Sequence, residues 1–426
     1  MEWVLLIVML GLIALRVPVA FAMGAGALIV LTRMSGEVPL TIVPLMMFDG
    51  TNSFVLLAIP LFMIAGELIN QADIGRRLMN LASSMVGFMR GGLGMTTVVV
   101  GMILADISGS SVADAAAMGT VLLPEMKRKG YPPGLAAAIL SSASSIAIII
   151  PPSITMVMFG FLTNTSVAQL FMGGFIPGIL IGISLMVVTH VYARKLQLPI
   201  EQRFSPIGLA RAFWEATWAL TLPVIIIGGI MFGVFTPTES AGVAVVAALA
   251  IGIVVYETLG WRSILPLFLR AGRQTAVVTF IIATSTVMGW YLSHEQIPDR
   301  IASSIVSMTD NKILILLLID VILLIAGCLL HGAPILIMMV PIMMPIAHRI
   351  SLDPVHFGLI FTIAIAIGQQ TPPVASVLYV VCAISHCTME EVTKYNKYFI
   401  LAMVVVLLLV TYIPTITLFL PRMIFR

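Results

Sequence analysis

The length of its apolar runs constrains this chain more than any other feature. Stretches such as 314–330 and 403–410 show no two-residue alternation, so they read as helix and exclude a transmembrane β-barrel. One helical crossing of a bilayer takes about 20 mostly apolar residues. Of the 426 residues only 10% are charged and 60% are apolar, at a mean hydropathy of +1.12. A soluble chain carries roughly a quarter charged residues, so this one cannot coat several water-facing domains. The fold class expected is an all-α polytopic membrane protein. A net charge of +3 is too small to point to nucleic acid. Cys328, Cys382 and Cys387 lack any CxxC spacing and read as small apolar packing rather than metal or disulfide chemistry.

Nine spans follow from the runs, near 3–31, 53–70, 134–162, 168–190, 213–234, 237–257, 274–293, 355–385 and 397–420. The first extends past signal-peptide length without a small-residue cleavage site and is expected to be retained. Segments 91–125 and 313–345 differ, because each has a polar or glycine-containing break near its middle. Their limbs reach only roughly 20–26 Å, short of a hydrocarbon core of about 30 Å. Each therefore reads as a re-entrant helical hairpin, with two short crossings and a tight turn as the alternative. Segments 71–90 and 258–273, carrying Arg76, Arg77 and Arg90 or Arg262, Arg270 and Arg273, are expected as amphipathic connectors along the interface or as ordinary solvated loops.

The breaks recur in a duplicated context. Pro124, Pro133, Pro151 and Pro152 have counterparts Pro345, Pro354, Pro372 and Pro373, each pair 221 residues apart, and Gly66, Ile74 and Arg77 match Gly289, Ile297 and Arg300 at a spacing of 223. The chain divides into a first repeat over 1–212, an extra linking span over 213–236, and a second repeat over 237–426. The extra span makes five crossings precede the second copy, which inverts it. Inverted repeats with Pro-interrupted segments at matching positions are the signature of a secondary transporter whose site lies where the breaks converge. Fifteen Lys and Arg residues fall on one side and six on the other. By the positive-inside rule, hairpin 91–125 then opens from the cytoplasm and hairpin 313–345 from outside.

Chemistry concentrates at the breaks. Pro151 with Pro152 releases the carbonyls of Ala147 and Ile148, and Pro372 with Pro373 those of Gly368 and Gln369. Free carbonyls beside the hydroxyls of Ser153, Thr155 or Thr371, with Gln370 alongside, offer oxygen ligands to Na⁺, and unwound backbone at membrane depth is tolerated only inside protein or along a cavity. Hairpin 91–125 turns at Ser108, Gly109, Ser110 and Ser111, where a half-helix N-terminus presents N–H groups to an anion and the serines can complete a cation shell. Hairpin 313–345 turns at His331, Gly332, Ala333 and Pro334. His331 can donate to an anionic substrate or stay a neutral, satisfied histidine. Of the intramembrane acids, Asp106 and Asp114 flank the first turn, Asp114 either capping its second limb or helping bind the ion. There is no GxxxxGK[ST] for ATP and no HExxH for a metal enzyme.

Six motifs in order carry a family resemblance. They are Ser108-Gly109-Ser110-Ser111-Val112-Ala113-Asp114, Leu123-Pro124-Glu125-Met126, Gly130-Tyr131-Pro132, Ile150-Pro151-Pro152-Ser153, Phe235-Thr236-Pro237-Thr238-Glu239 and Thr371-Pro372-Pro373-Val374. The chain resembles, over essentially its whole length, the large membrane subunit (DctM type) of tripartite ATP-independent periplasmic (TRAP) transporters. That resemblance implies an elevator-type, Na⁺-coupled importer of an organic acid anion such as a C4-dicarboxylate, sialic acid or a sugar or keto acid. It implies two partners in the bacterial inner membrane and periplasm, a small four-helix subunit of DctQ type and a binding protein of DctP type. Segments 91–162 and 313–385 would form the mobile transport domain, and the remaining spans the scaffold. Na⁺ would sit at Ser108, Ser110 and Ser153 and again at Gly332, Gly368 and Thr371, with substrate near Ser110, Ser111, Ser153, Thr155 and His331. His331 stands where many relatives carry an acid, and Ala375 where glycine is usual. The competing readings are a stand-alone Na⁺-coupled carboxylate symporter or ion antiporter, and an intramembrane enzyme using Asp106 with Asp114.

Overall fold

The computed structural model describes residues 8–9, 11–12, 15, 17–33, 39–201, 203–298, 300–301, 303, 309, 311–329, 332–373 and 375–425. In chain order its helices are α1 Val19–Arg33, α2 Ile42–Thr51, α3 Ala58–Gln71, α4 Ile74–Val86, α5 Gly92–Ser108, α6 Ser111–Arg128, α7 Pro133–Ser145, α8 Ile154–Thr163 and α9 Val167–Lys195. They continue as α10 Pro206–Met231, α11 Pro237–Ala250, α12 Trp261–His294, α13 Lys312–Leu329, α14 Ala333–Arg349, α15 Pro354–Gly368, α16 Ser376–Ser385, α17 Met389–Tyr412 and α18 Thr415–Ile424. Among the described residues six helices are long and apolar enough to cross a membrane. The other three expected spans are the two that the prolines break and the first, of which residues 1–7 lie outside the described residues.

The hairpins form as read. α5 and α6 pack against each other around Gly109 and Ser110, and α13 and α14 around Gly332. The repeat spacing of 221 carries α6 onto α14, α7 onto α15, α8 onto α16 and α9 onto α17. Local chemistry starts these helices at matching points. Proline opens α7 and α15, where its missing N–H is one of the unpaired four, and Asp353 caps α15 by accepting from Val355 and His356 at 2.9 and 3.3 Å. Proline pairs then end them, with the breaks at 149–153 and 369–375 before α8 and α16.

The two broken helices lie against each other in opposite order: α7 contacts α16, and α8 contacts α15. Phe159 of α8 joins them, its ring centroid 6.0 Å from those of Phe357 and Phe361 on α15. Hairpin limb α6 packs on α7 and α16, α13 lies along α15, and α9 runs beside α5, α15 and α17. A second group gathers around α12, with α1, α2 and α3 on it, α11 on α3, and α10 on α4. Large apolar side chains stay exposed on the outside, among them Trp214, Phe232 and Trp261 at about 80% exposure, as a lipid solvent permits.

Two sequence expectations are corrected. Segment 258–273 is no separate connector: it is the first part of the single helix α12, where Arg270 binds Glu67 at 3.2 Å and Gln71 at 2.9 Å and so holds this end along α3. Segment 71–90, by contrast, does form a separate amphipathic helix, α4, burying Ile74, Leu78 and Leu81. The last span begins earlier, at Met389, and ends at Tyr412, because Pro414 pushes Ile413 out of helical geometry to φ −123° and ψ 81°. Helix α2 was not anticipated and packs on α12.

Van der Waals packing, rather than exclusion of water, holds helices together within a bilayer. Replacing Phe159 by alanine should therefore leave a cavity of about 100 Å³ and lower stability by about 2 kcal/mol, at about 24 cal/mol per Å³. A thermal melt of the detergent-solubilised chain reads this loss, and an unchanged midpoint would contradict the bridging role.

Candidate functional site

Each hairpin packs on the broken helix of its own repeat, the first through its tip and the second through its limb α13. At the first, α5 ends and Gly109 takes φ +60°, after which Ser110 is extended and caps α6, its Oγ accepting from the Ala113 N–H at 3.5 Å. A Cβ on Gly109 would stand 2.7 Å from the Pro152 carbonyl oxygen. Only glycine gives both the left-handed turn and this approach of backbone to backbone. Ser111 is 2% exposed, and its Oγ has no hydrogen-bond partner among the described residues. Asp114 is buried in the first turn of α6, where a carboxylate favours the positive helix end. The side chains of Asp106 and Ser108 lie outside the described residues.

Across from this tip, fully buried Ser153 caps α8, accepting from the Met156 N–H at 3.3 Å and donating to the Ile148 carbonyl at 2.7 Å. The expectation of an open Ile148 carbonyl is thus corrected, because its freed lone pair takes the Ser153 hydroxyl. A carbonyl oxygen has a second lone pair, which keeps it available as a cation ligand. Thr155 is buried in the first turn of α8.

The second break is built differently. A Cβ on Gly368 would fall 2.5 Å from the backbone of Gly327, so α13 rests directly on the end of α15. The Thr371 hydroxyl donates to Ile367 at 2.7 Å and its N–H to Gly368 at 3.0 Å, while the Val377 N–H reaches back to Gln369 at 3.0 Å. The Gly368 and Gln369 carbonyls are therefore also occupied once, against expectation. Gln369 Oε1 and Ser376 Oγ have no partner among the described residues. Ala375 stands in the left-handed region at φ 39°, the conformation for which glycine is the usual choice. Gly332 is half-buried with φ 53°, and His331 lies outside the described residues.

The two breaks are brought together. Gln370 is fully buried, and its Oε1 meets the Ser142 Oγ of α7 at 2.8 Å. Among the described residues no three His, Cys, Asp or Glu side chains gather as a metal cluster. The donors at the breaks are carbonyls, hydroxyls and amides, a set suited to a hard monovalent cation, while the N-termini of α6 and α8 suit an anion. Sequence reasoning missed Ser376, although it is the repeat counterpart of Thr155, 221 residues on. It also missed Ser142 and Asn396, whose counterparts Ile363 and Phe175 carry no polar group, so the repeat gave no signal there.

Residues 6–416 match the family described as "Tripartite ATP-independent periplasmic transporter, DctM component". The C4-dicarboxylate TRAP transporter large permease protein DctM of Pseudomonas aeruginosa is 37% identical over 376 residues, covering 88% of each chain. The sialic acid TRAP transporter large permease protein SiaM of Vibrio cholerae is 35% identical over 416 residues, covering 97% of each. The isethionate TRAP transporter permease protein DctMQ of Oleidesulfovibrio alaskensis is 37% identical over 404 residues, which are 95% of this chain and span 64% of that relative's length. The solved structure of the Alcanivorax borkumensis YdaH transporter shares the fold, with a TM-score of 0.60 at 14% identity, covering 85% of this chain and 86% of that one.

Two outcomes follow from this packing. In a chain freed of its native cysteines, Ser111→Cys should resist a water-soluble thiol reagent, and adding Gly109→Ala should expose it; equal labelling in both would show that the tip tolerates a side chain. Ala375→Gly should raise the thermal midpoint, because it relieves roughly 1 kcal/mol of left-handed strain.

Proposed function

The chain belongs to the DctM component family of tripartite ATP-independent periplasmic transporters, multi-pass permeases of the inner membrane, and from that premise we propose that it imports an organic acid anion together with Na⁺. The observation that carries this reading is a pair of hairpins packed on two proline-broken helices, with the buried oxygens Ser111 Oγ and Gln369 Oε1 left without partners among the described residues. A buried hydroxyl or amide oxygen without a partner is costly, and a bound cation removes that cost. One Na⁺ is held at the first tip and break by oxygens of Ser108, Ser110 and Ser153, with Ser111 beside them. A second is held at Gly332, Gly368 and Thr371. The anion lies between, near Ser110, Ser111, Ser153, Thr155 and His331, against the N-termini of α6 and α8.

Segments 91–162 and 313–385 move as one transport body, and the helices around α12 form the frame. A cleft of about 630 Å³ supports that division: it runs between α14 and α12, lined by Pro341 and His348 on one side and by Ser285 and Trp290 on the other. A lone charge at the bilayer centre is costly, so the anion crosses with co-bound cations that offset its charge. The large subunit works with a small four-helix subunit of DctQ type and a periplasmic binding protein of DctP type. The fused permease named DctMQ supports the first partner. The relatives named for isethionate, C4-dicarboxylate, 2,3-diketo-L-gulonate and sialic acid support an organic anion as cargo.

Reconstituting the chain with both partners in proteoliposomes tests the proposal. Uptake from a panel of labelled succinate, sialic acid and isethionate should require an inward Na⁺ gradient, require the binding protein, and return solute chemically unchanged. Ser111→Ala should raise the half-saturating Na⁺ concentration about tenfold, the equivalent of ~1.4 kcal/mol. Undiminished uptake on a proton gradient in sodium-free buffer would sink the coupling, and uptake without the binding protein would favour a stand-alone symporter.

A further inference from the structure

Beside the second break lies a buried polar cluster that the ligand sets above do not use. Ser142 from α7, Gln370 from the break and Asn396 from α17 are all fully buried. The Ser142 hydroxyl is shared between Gln370 Oε1 at 2.8 Å and Asn396 Oδ1 at 3.1 Å. Asn396 Nδ2 donates to the Gln370 carbonyl at 2.9 Å, and Gln370 Nε2 approaches Met403 Sδ at 2.7 Å. Two helices that are far apart in sequence, α7 and α17, thus converge on Gln370, α7 on its side chain and α17 on its carbonyl.

That carbonyl belongs to the peptide unit that carries Thr371. A peptide group is planar, so fixing the direction of the Gln370 carbonyl also fixes the Thr371 N–H, which closes on Gly368 at 3.0 Å. Thr371 and Gly368 are the residues assigned to the second cation. Ser142 ties the Gln370 side chain, and through Asn396 the same peptide unit, to α7, the helix whose continuation ends in the Ile148 carbonyl held by Ser153 at the first break. No water reaches these groups to replace a lost partner, so the orientation depends on the cluster itself.

We propose that Ser142 and Asn396 are positioning residues: they orient the Gln370–Thr371 peptide, set the sodium affinity of the second break and couple it to the first. This rests on the sodium reading given above. Neither side chain touches the ion; each acts through Gln370.

Sodium itself is the probe. The full chain, purified with its small subunit, is melted across a NaCl series held at constant ionic strength with choline chloride. A ligand that binds the folded state raises the midpoint with its concentration, so the series yields a half-saturating sodium concentration and a Hill coefficient. Ser142→Ala removes one hydroxyl and Asn396→Ala the whole clamp. Each should raise the half-saturating concentration about tenfold, equivalent to ~1.4 kcal/mol, and lower the Hill coefficient toward unity. Ser142→Thr, which keeps the hydroxyl, should restore both. A lower midpoint in choline with unchanged sodium half-saturation would make the cluster mere packing and overturn the inference. An unmodified chain with no sodium-specific stabilisation would fail the sodium reading and take the inference with it.

Discussion

A helix that stops inside a bilayer leaves peptide groups that water cannot reach, and each unpaired group there costs several kcal/mol. Two proline pairs impose that problem on this chain, and much of the surrounding structure answers it. At the first break the Ser153 hydroxyl covers the Ile148 carbonyl while its oxygen caps the next half-helix. At the second, Thr371 covers Ile367 and the Val377 N–H returns across the prolines to Gln369. Each break also needs a protein wall, which its hairpin supplies through backbone contact at Gly109 or Gly327. The hairpins thus stand in for solvent at the breaks.

Duplication then places the two breaks back to back. Because the half-helices pair crosswise, α7 with α16 and α8 with α15, the interruptions fall side by side rather than at opposite ends. The halves have diverged within that symmetry. The first tip is rich in serine, whereas in the second hairpin Gly327 of limb α13 meets Gly368 at the end of α15, and Ser142, Gln370 and Asn396 meet beside the second break. A symmetric backbone therefore holds two breaks of different chemistry.

The backbone plan was legible because proline and charge are its determinants. The repeat spacing, hairpin limits and break positions follow from Pro124 through Pro152 and their counterparts, together with the scarcity of charge between them. What sequence could not reveal depends on which side chains meet. The carbonyls freed by proline were expected to stand open, yet nearby hydroxyls and N–H groups close them, since a released lone pair at depth takes the nearest donor. Asn396 sits amid Lys394, Tyr395, Lys397 and Tyr398, a stretch that reads as a polar helix end, and only the packing of α17 on α7 turns it inward. The contact that lays α12 along α3, Arg270 with Glu67, likewise joins residues 203 apart in sequence.

The electrostatics of the first break follow from how its half-helices are cut. The C-terminal ends of α5 and of the α7 segment arrive there carrying partial negative charge, and the N-termini of α6 and α8 depart from it carrying partial positive charge. Gly109 brings these ends within contact distance of one another. A place where two positive and two negative helix ends meet favours neither sign alone. It favours a cation on the carbonyl side and an anion on the N–H side together, as a nearly neutral pair. A nearly neutral pair is also what costs least at bilayer depth, which is the physical ground for the proposed transport of an anion together with a cation.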